Sequence, residues 1–217
     1  MDNGFYTLMS QFLSLFKASE RGVDATQLKG MSAYNQTRWA LFKKLFDWVY
    51  ERYQSVLQAN GTIDFADMIS RATFHAQQDY FHLHTKESFR LKYLLVDEFQ
   101  DISPIRASFI KAIRAANPGC GLMGVGDDWQ AIYRFTGSDV RLTTQFEQFF
   151  GEAELLSLDK TFRFNDRIET VASTFVQKNP HQIAKRLKTH SKSDQREVHI
   201  ITTGKDSAIE RALAQIQ

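Results

Sequence analysis

Two adjacent acids, Asp97 and Glu98, follow the apolar run Tyr93-Leu94-Leu95-Val96. A run of that length and composition reads as a buried strand, so both carboxylates stand at its carboxyl end. Phosphoryl transfer from a nucleotide uses Mg2+, a hard cation that takes oxygen ligands and keeps several waters. Asp97, at the strand tip, suits that role through a bound water. Glu98, one residue on, can turn toward an attacking water as general base or orienter. The alternative is that the two acids simply begin a loop.

A second segment, Gly124-Val125-Gly126-Asp127-Asp128-Trp129-Gln130-Ala131-Ile132-Tyr133-Arg134-Phe135-Thr136-Gly137, follows Leu122-Met123 and also leaves a strand end. Gln130 can hydrogen-bond a γ-phosphate or an attacking water without adding charge. Tyr133, Arg134 and Phe135 form an aromatic–basic–aromatic cluster suited to stacking on unpaired bases; the alternative is that both rings are packing residues. A third segment, Leu158-Asp159-Lys160-Thr161-Phe162-Arg163-Phe164-Asn165, places Arg163 between a strand and a helix. A planar, permanently charged guanidinium there can neutralise a transferring γ-phosphoryl group. Pairing with a surface acid is the alternative.

Such residues need a scaffold. From Met1 to about Phe89 the apolar spacing is helical: Phe5, Leu8, Met9, Phe12 and Phe16, then Trp39, Phe42, Phe46, Val49, Tyr53 and Val56. These stripes read as core packing. Val23 to Gly30 reads as a connection and Asn60-Gly61 as a turn. Asp64 can cap a helix beginning at Phe65, with Asp67 in its first turn. Beyond this region short apolar runs alternate with helices. Strands are predicted at Tyr93–Val96, Leu122–Val125, Leu155–Leu158 and Val198–Thr202. Ser103-Pro104 starts a helix with Ile105, Phe109, Ile110 and Ile113 on its apolar face, ending at Asn117-Pro118-Gly119. Ile168, Val171, Ala172 and Phe175 mark a further helix, and Ser207 to Gln217 begins another. The alternation implies an α/β fold with a parallel sheet, whose ligands sit at the carboxyl ends of the strands.

The 217 residues suffice for one large domain or two small ones, and the 43% apolar content with 18 Phe is that of a globular chain. A net charge of +2 excludes binding of nucleic acid by bulk charge, so any such contact is local. The single Cys120 excludes an intrachain disulfide and a cysteine zinc site, and reads as a small buried residue. His75, His82 and His84 lack partners at metal-ligand spacing. No apolar run approaches the roughly 20 residues that span a bilayer, and no basic n-region precedes the first apolar residues; a cytoplasmic setting is expected. Lys185, Arg186, Lys188, His190 and Lys192 read as a solvated linker before the last strand.

The VDEFQD, VGDDWQAIYRF and TFRFN runs, in this order, resemble motifs II, III and IV of superfamily 1 helicases of the UvrD/Rep type, and in detail its helicase IV branch. Asp64-Phe65-Ala66-Asp67-Met68-Ile69 resembles a segment upstream of motif II in that group. The resemblance covers about Asp64 to Thr203. It implies an ATP-driven translocase that unwinds duplex DNA 3′ to 5′, binding ATP, Mg2+ and single-stranded DNA. By resemblance Glu98 activates water, Asp97 holds Mg2+, Gln130 senses the γ-phosphate, Tyr133 and Phe135 stack on bases beside Arg134, and Arg163 contacts the nucleotide. It further implies a partial RecA-like sheet, with residues 1–88 a helical insertion, 89–160 part of the first motor domain and 161–217 the start of the second.

The departures are as informative. No G-x-x-x-x-G-K-[ST] run occurs, since Gly204-Lys205 is followed by Asp206. The phosphate-cradling loop is therefore absent from these residues, as are the adenine-reading Gln segment and the later motifs. Phe135 stands where many members have Trp, and Thr136 where many have Arg. The expectation is an internal piece that is inactive alone and exposes apolar sheet surface, prone to self-association. Two rival readings are a DNA-binding or regulatory module without turnover, and a metal-dependent nuclease built on Asp64, Asp67, Asp97 and Glu98.

Overall fold

The protein is described by a computed structural model covering residues 3–19, 30–78, 90–180 and 182–195. It divides into two compact units, Met1–Ala153 and Glu154–Gln217.

The first unit opens with helices α1 (Asn3–Ala18), α2 (Ala33–Ala59) and α3 (Phe65–Gln77). The predicted aromatic stripes meet here. Phe12 packs edge-on against Phe46, with centroids 4.5 Å apart, and against Phe42 at 5.0 Å. Phe16 meets Phe46 at 5.1 Å and Tyr50 at 5.2 Å. Phe46 is 1% exposed at the centre of this cluster, and edge-to-face rings add to the burial they share. Phe5 and Leu8, at the start of the α1 stripe, remain exposed. Asp64 caps α3 as expected, accepting from the Asp67 amide at 2.8 Å in a reciprocal capping box. Lys17 from α1 donates to Asp64 and Asp67 at 2.6 Å each, and the Tyr53 hydroxyl from α2 donates to Asp64 at 2.8 Å. One buried ammonium thus ties three helices together.

The sheet of this unit has two parallel strands, β1 (Tyr93–Val96) and β2 (Gly121–Gly124), paired Tyr93↔Gly121 through Val96↔Gly124. Helix α4 (Pro104–Ala116) connects them. Ser103 and Pro104 start it at the predicted position, although the Ser103 side chain makes no cap hydrogen bond. It ends at Asn117, whose Oδ1 accepts from the Leu91 amide at 2.8 Å and whose Nδ2 donates to Ile113 O. That buried amide fixes the end of α4 to the entry of β1. Two short helices, α5 (Arg141–Thr144) and α6 (Phe146–Phe150), complete the unit. Phe99, Ile102, Ala107, Ile110, Leu142 and Phe150 form its core beneath the sheet. Cys120 is buried just ahead of β2. Helices followed by a small parallel sheet with flanking helices make this an α/β fold in a partial RecA-like arrangement.

In the second unit β3 (Lys160–Asn165) runs parallel to β4 (Lys188–Ser191), joined through α7 (Asp166–Val176). This corrects two expectations. The strand falls not at Leu155–Leu158, whose leucines are exposed without regular structure, but at the following TFRFN run. The basic stretch is no plain linker, because Lys188 begins β4 and pairs with Asp159. Strand pairing, more than apolar content, decides which residues become a strand. The α7 helix is present, capped by Asn165, but Ile168, Val171 and Phe175 are exposed. The connection from Val23, His82, His84 and the predicted elements after Val198 lie outside the described residues. No described helix is long and apolar enough to cross a membrane.

Candidate nucleotide and nucleic-acid site

Both acids leave β1 at its carboxyl end. Asp97 is exposed, and its Oδ1 accepts from the Glu98 amide at 2.9 Å. Glu98 has φ 49° and ψ 46°, the sole non-glycine residue with positive φ among the described residues. An L-residue adopts that left-handed conformation at a cost, and such outliers concentrate at functional sites. It turns the chain into a 3-10 turn at Phe99–Asp101. Phe99 anchors the turn: its ring is 2% exposed in the core, and its amide donates to Val125 O at 2.8 Å. Gly124 makes room for it, since a Cβ there would lie 2.8 Å from the Phe99 ring.

The sequence reading missed Gln100, which is 2% exposed. Its Nε2 donates to Glu98 Oε2 at 2.7 Å, and its Oε1 accepts from the Asp127 amide at 2.9 Å. It therefore spans the two acid-bearing loops. The only signal in the sequence is an amide residue among acids next to a strand tip. On the second loop Asp127 Oδ1 accepts from the Trp129 amide at 3.1 Å and Oδ2 from Gln130 Nε2 at 2.8 Å. Asp101 follows Gln100, and its Oδ1 is buried without a hydrogen-bond partner. Burial and the charge of Glu98 push its carboxyl above the usual range, against the pull of Arg106.

Glu98, Gln100, Asp101, Trp129, Gln130, Ile132 and Tyr133 line one cleft of about 540 Å3. Of the predicted residues the cleft brings together Glu98, Gln130 and Tyr133. Asp97, Arg134 and Phe135 belong to the same unit but do not line it. Tyr133 and Phe135 are 45% and 71% exposed, with ring centroids 6.0 Å apart, so their open faces could receive flat ligands. Gly137 closes this segment with φ 94°, and a Cβ on it would lie 2.5 Å from Ala18 Cβ of α1. Arg163 lies within β3 of the second unit, exposed, its amide donating to Thr161 Oγ1 at 3.3 Å.

The donor set fits Mg2+. Such an ion takes one or two carboxylates and fills its remaining positions with water and phosphate oxygens. Asp97 offers an exposed carboxylate with one oxygen held by an amide, and Glu98 follows directly. Asp64 and Asp67 belong instead to the α3 cap and the Lys17 ion pairs. That removes half the carboxylates of a nuclease reading, and no group of three or more potential metal ligands occurs among the described residues.

Residues 7–151 match the UvrD/REP helicase N-terminal domain, nearly the extent of the first unit. The chain is 41% identical to DNA helicase IV of Escherichia coli (strain K12), over 73% of this chain and 22% of that protein. It is 32% identical to DNA helicase II of the same organism, over 65% of this chain and 19% of the relative. With its ATP-dependent DNA helicase Rep the identity is 28%, over 66% and 21%. The chain therefore spans about a fifth of the length of these relatives. With its acids at the tip of β1, its Gln-bearing turn beyond β2, and most of its length matched, the chain belongs to the UvrD/REP helicase family through that family's N-terminal domain.

Proposed function

We propose that this chain is a motor segment of an ATP-dependent DNA helicase moving 3′ to 5′. Residues 1–88 would form a helical insertion, 89–160 part of the first motor domain, and 161–217 the start of the second. The observation that carries the reading is the shared cleft of Glu98, Gln130 and Tyr133. It gathers a candidate base, a candidate γ-phosphate contact and a candidate base-stacking ring.

In this reading Glu98 accepts a proton from the attacking water, while Gln130 hydrogen-bonds that water or the γ-phosphate. Asp97, with water between, would hold Mg2+, which when bound supplies positive charge to phosphate oxygens. By resemblance alone, Arg163 of the second unit would serve as a fixed cation for phosphate. Tyr133 and Phe135 stack on unpaired bases, and Arg134 supplies charge beside them. Turnover also requires a phosphate-cradling loop, and these 217 residues contain none. The chain by itself therefore does not hydrolyse ATP, and in isolation behaves as a DNA-binding module at most.

The test uses the full-length protein. Glu98→Gln keeps side-chain shape but removes the base, so turnover should fall by about 10²-fold or more with Mg-ATP binding retained. Tyr133→Ala should weaken single-strand binding by about 1–3 kcal/mol, while DNA-free hydrolysis stays near wild type. Near-normal turnover in Glu98→Gln would end this reading.

A further inference from the structure

We propose that Gln100 is a positioning residue for this reaction, holding the Glu98 carboxylate and the Asp127–Gln130 turn in one hydrogen-bonded array. The inference rests on the reading of Glu98 as the base.

The array runs from Glu98 Oε2 to Gln100 Nε2 at 2.7 Å, from Gln100 Oε1 to the Asp127 amide at 2.9 Å, and from Asp127 Oδ2 to Gln130 Nε2 at 2.8 Å. Chemistry fixes the orientation of the Gln100 amide. A carboxylate accepts and a peptide N–H donates, so a single orientation of the two serves both neighbours. Flipping it would leave two mismatched contacts on a side chain that is 2% exposed. Glu98 by itself is a flexible side chain on an exposed residue. One hydrogen bond from a buried, immobile partner removes much of that freedom.

The backbone is shaped around this amide. A Cβ on Gly126 would lie 2.6 Å from Gln100 Oε1 and 3.0 and 3.1 Å from the amide nitrogens of Phe99 and Gln100. The second loop approaches the first closely enough for the Asp127 amide to reach Gln100 because residue 126 has no side chain. Gln130 is then tied through Asp127 to the same amide as Glu98. The base takes its aim from the turn that carries Gln130, so a displacement of that turn re-aims the base.

A carboxylate at position 100 would still accept from the Asp127 amide but could donate nothing to Glu98, so it breaks one end of the array and keeps the other.

The experiment measures DNA-stimulated ATP hydrolysis by the full-length protein and its Gln100→Leu, Gln100→Glu, Glu98→Gln and Gln100→Leu/Glu98→Gln variants. Gln100→Leu should lower kcat about ten-fold or more with KM for ATP within about two-fold, because aim is lost and binding is not. The double variant should be no slower than Glu98→Gln, since Gln100 acts through Glu98. Gln100→Glu, which keeps the contact to the Asp127 amide but loses the donor to Glu98, should lower kcat to a similar extent with KM for ATP again within about two-fold. Wild-type kcat in Gln100→Leu, or losses that multiply in the double variant, would overturn the proposal while Glu98→Gln alone stayed slow. If Gln100→Leu melts without cooperativity, Gln100→Glu decides: wild-type kcat in a cooperatively melting Gln100→Glu overturns the proposal. Retained turnover in Glu98→Gln would instead remove the base reading, and this proposal with it.

Discussion

Asp127 accepts from both the Trp129 amide and the Gln130 side chain, so the turn between strand end and aromatic pair is braced from inside. Gln130 and Tyr133 stand three residues apart along one short covalent path and line the same cleft. On the proposed function, a shift of Gln130 toward a γ-phosphate would displace Tyr133 by a comparable amount and so couple nucleotide state to base stacking. In the full-length protein, Gln130→Ala should weaken the effect of ATP analogues on single-strand affinity, and Tyr133→Ala the reciprocal effect of DNA on analogue affinity. Equilibrium titrations of both single variants and the double variant give the coupling free energy. Simple additivity of their effects would show that the two residues act independently. At this scale the sequence is legible wherever chemistry and position coincide. Asp97 and Glu98 are acids at a strand end, and Gln130 follows a pair of acids. Gln100 was illegible because its role depends on Asp127, which lies 27 residues away in sequence.

Between elements, the link among α1, α2 and α3 is ionic as well as aromatic. Lys17 is 8% exposed and meets two carboxylates that are 24% and 19% exposed. Burial pushes the Lys17 ammonium down, but Asp64 and Asp67 outweigh it and hold its pKa above the usual value. Burial and then the charge and hydrogen bond of Asp64 push the Tyr53 hydroxyl up to about 12. For Asp64, burial acts upward, yet Lys17, the Asp67 amide and Tyr53 together hold it below the usual range. The Lys17 and Tyr53 contributions are fully present below their unfolded values near 10 and are lost as pH rises through their raised native values, about 12 for Tyr53. The Asp64 contribution is present above about pH 4 and is lost as pH falls through its lowered native value. Thermal melting across pH should thus show a plateau with an alkaline decline beginning near pH 10. Lys17→Met should lower stability at pH 7 by about 1–3 kcal/mol, leaving two carboxylates without their shared cation. If Lys17→Met melts like wild type, the ion pairs contribute nothing. The α1–α3 helices were legible because 3.6-residue periodicity survives without knowledge of partners. The β3 strand was misplaced because Leu155, Leu156 and Leu158 carry the stronger apolar signal, whereas the pairing with Lys188–Ser191 selects Lys160–Asn165.

For the whole molecule, the informative surface is the outer face of the β1–β2 sheet. Tyr93, Leu95, Met123 and Val125 are 75%, 69%, 55% and 43% exposed, and the register pairs Leu95 with Met123. Parallel sheets are ordinarily covered on both faces, and an open apolar face of this kind associates. The chain spans 22% of DNA helicase IV, and that relative has further chain with which such a face can be covered. Expressed alone, the 217 residues should self-associate, and sedimentation should show mass rising with concentration. Leu95→Glu with Met123→Lys should return the chain toward monomer. A monodisperse wild-type monomer with slow amide exchange through both strands would contradict this.

Glu98 occupies backbone space in which glycine or asparagine would sit more comfortably. On the proposed reading of Glu98 as the base, folding and turnover make opposite demands on this one position. If selection for hydrolysis were relaxed, the first acid to drift would be the base rather than Asp97. A descendant with Gly or Asn at position 98 would keep its fold and its strand ends while falling silent as a motor.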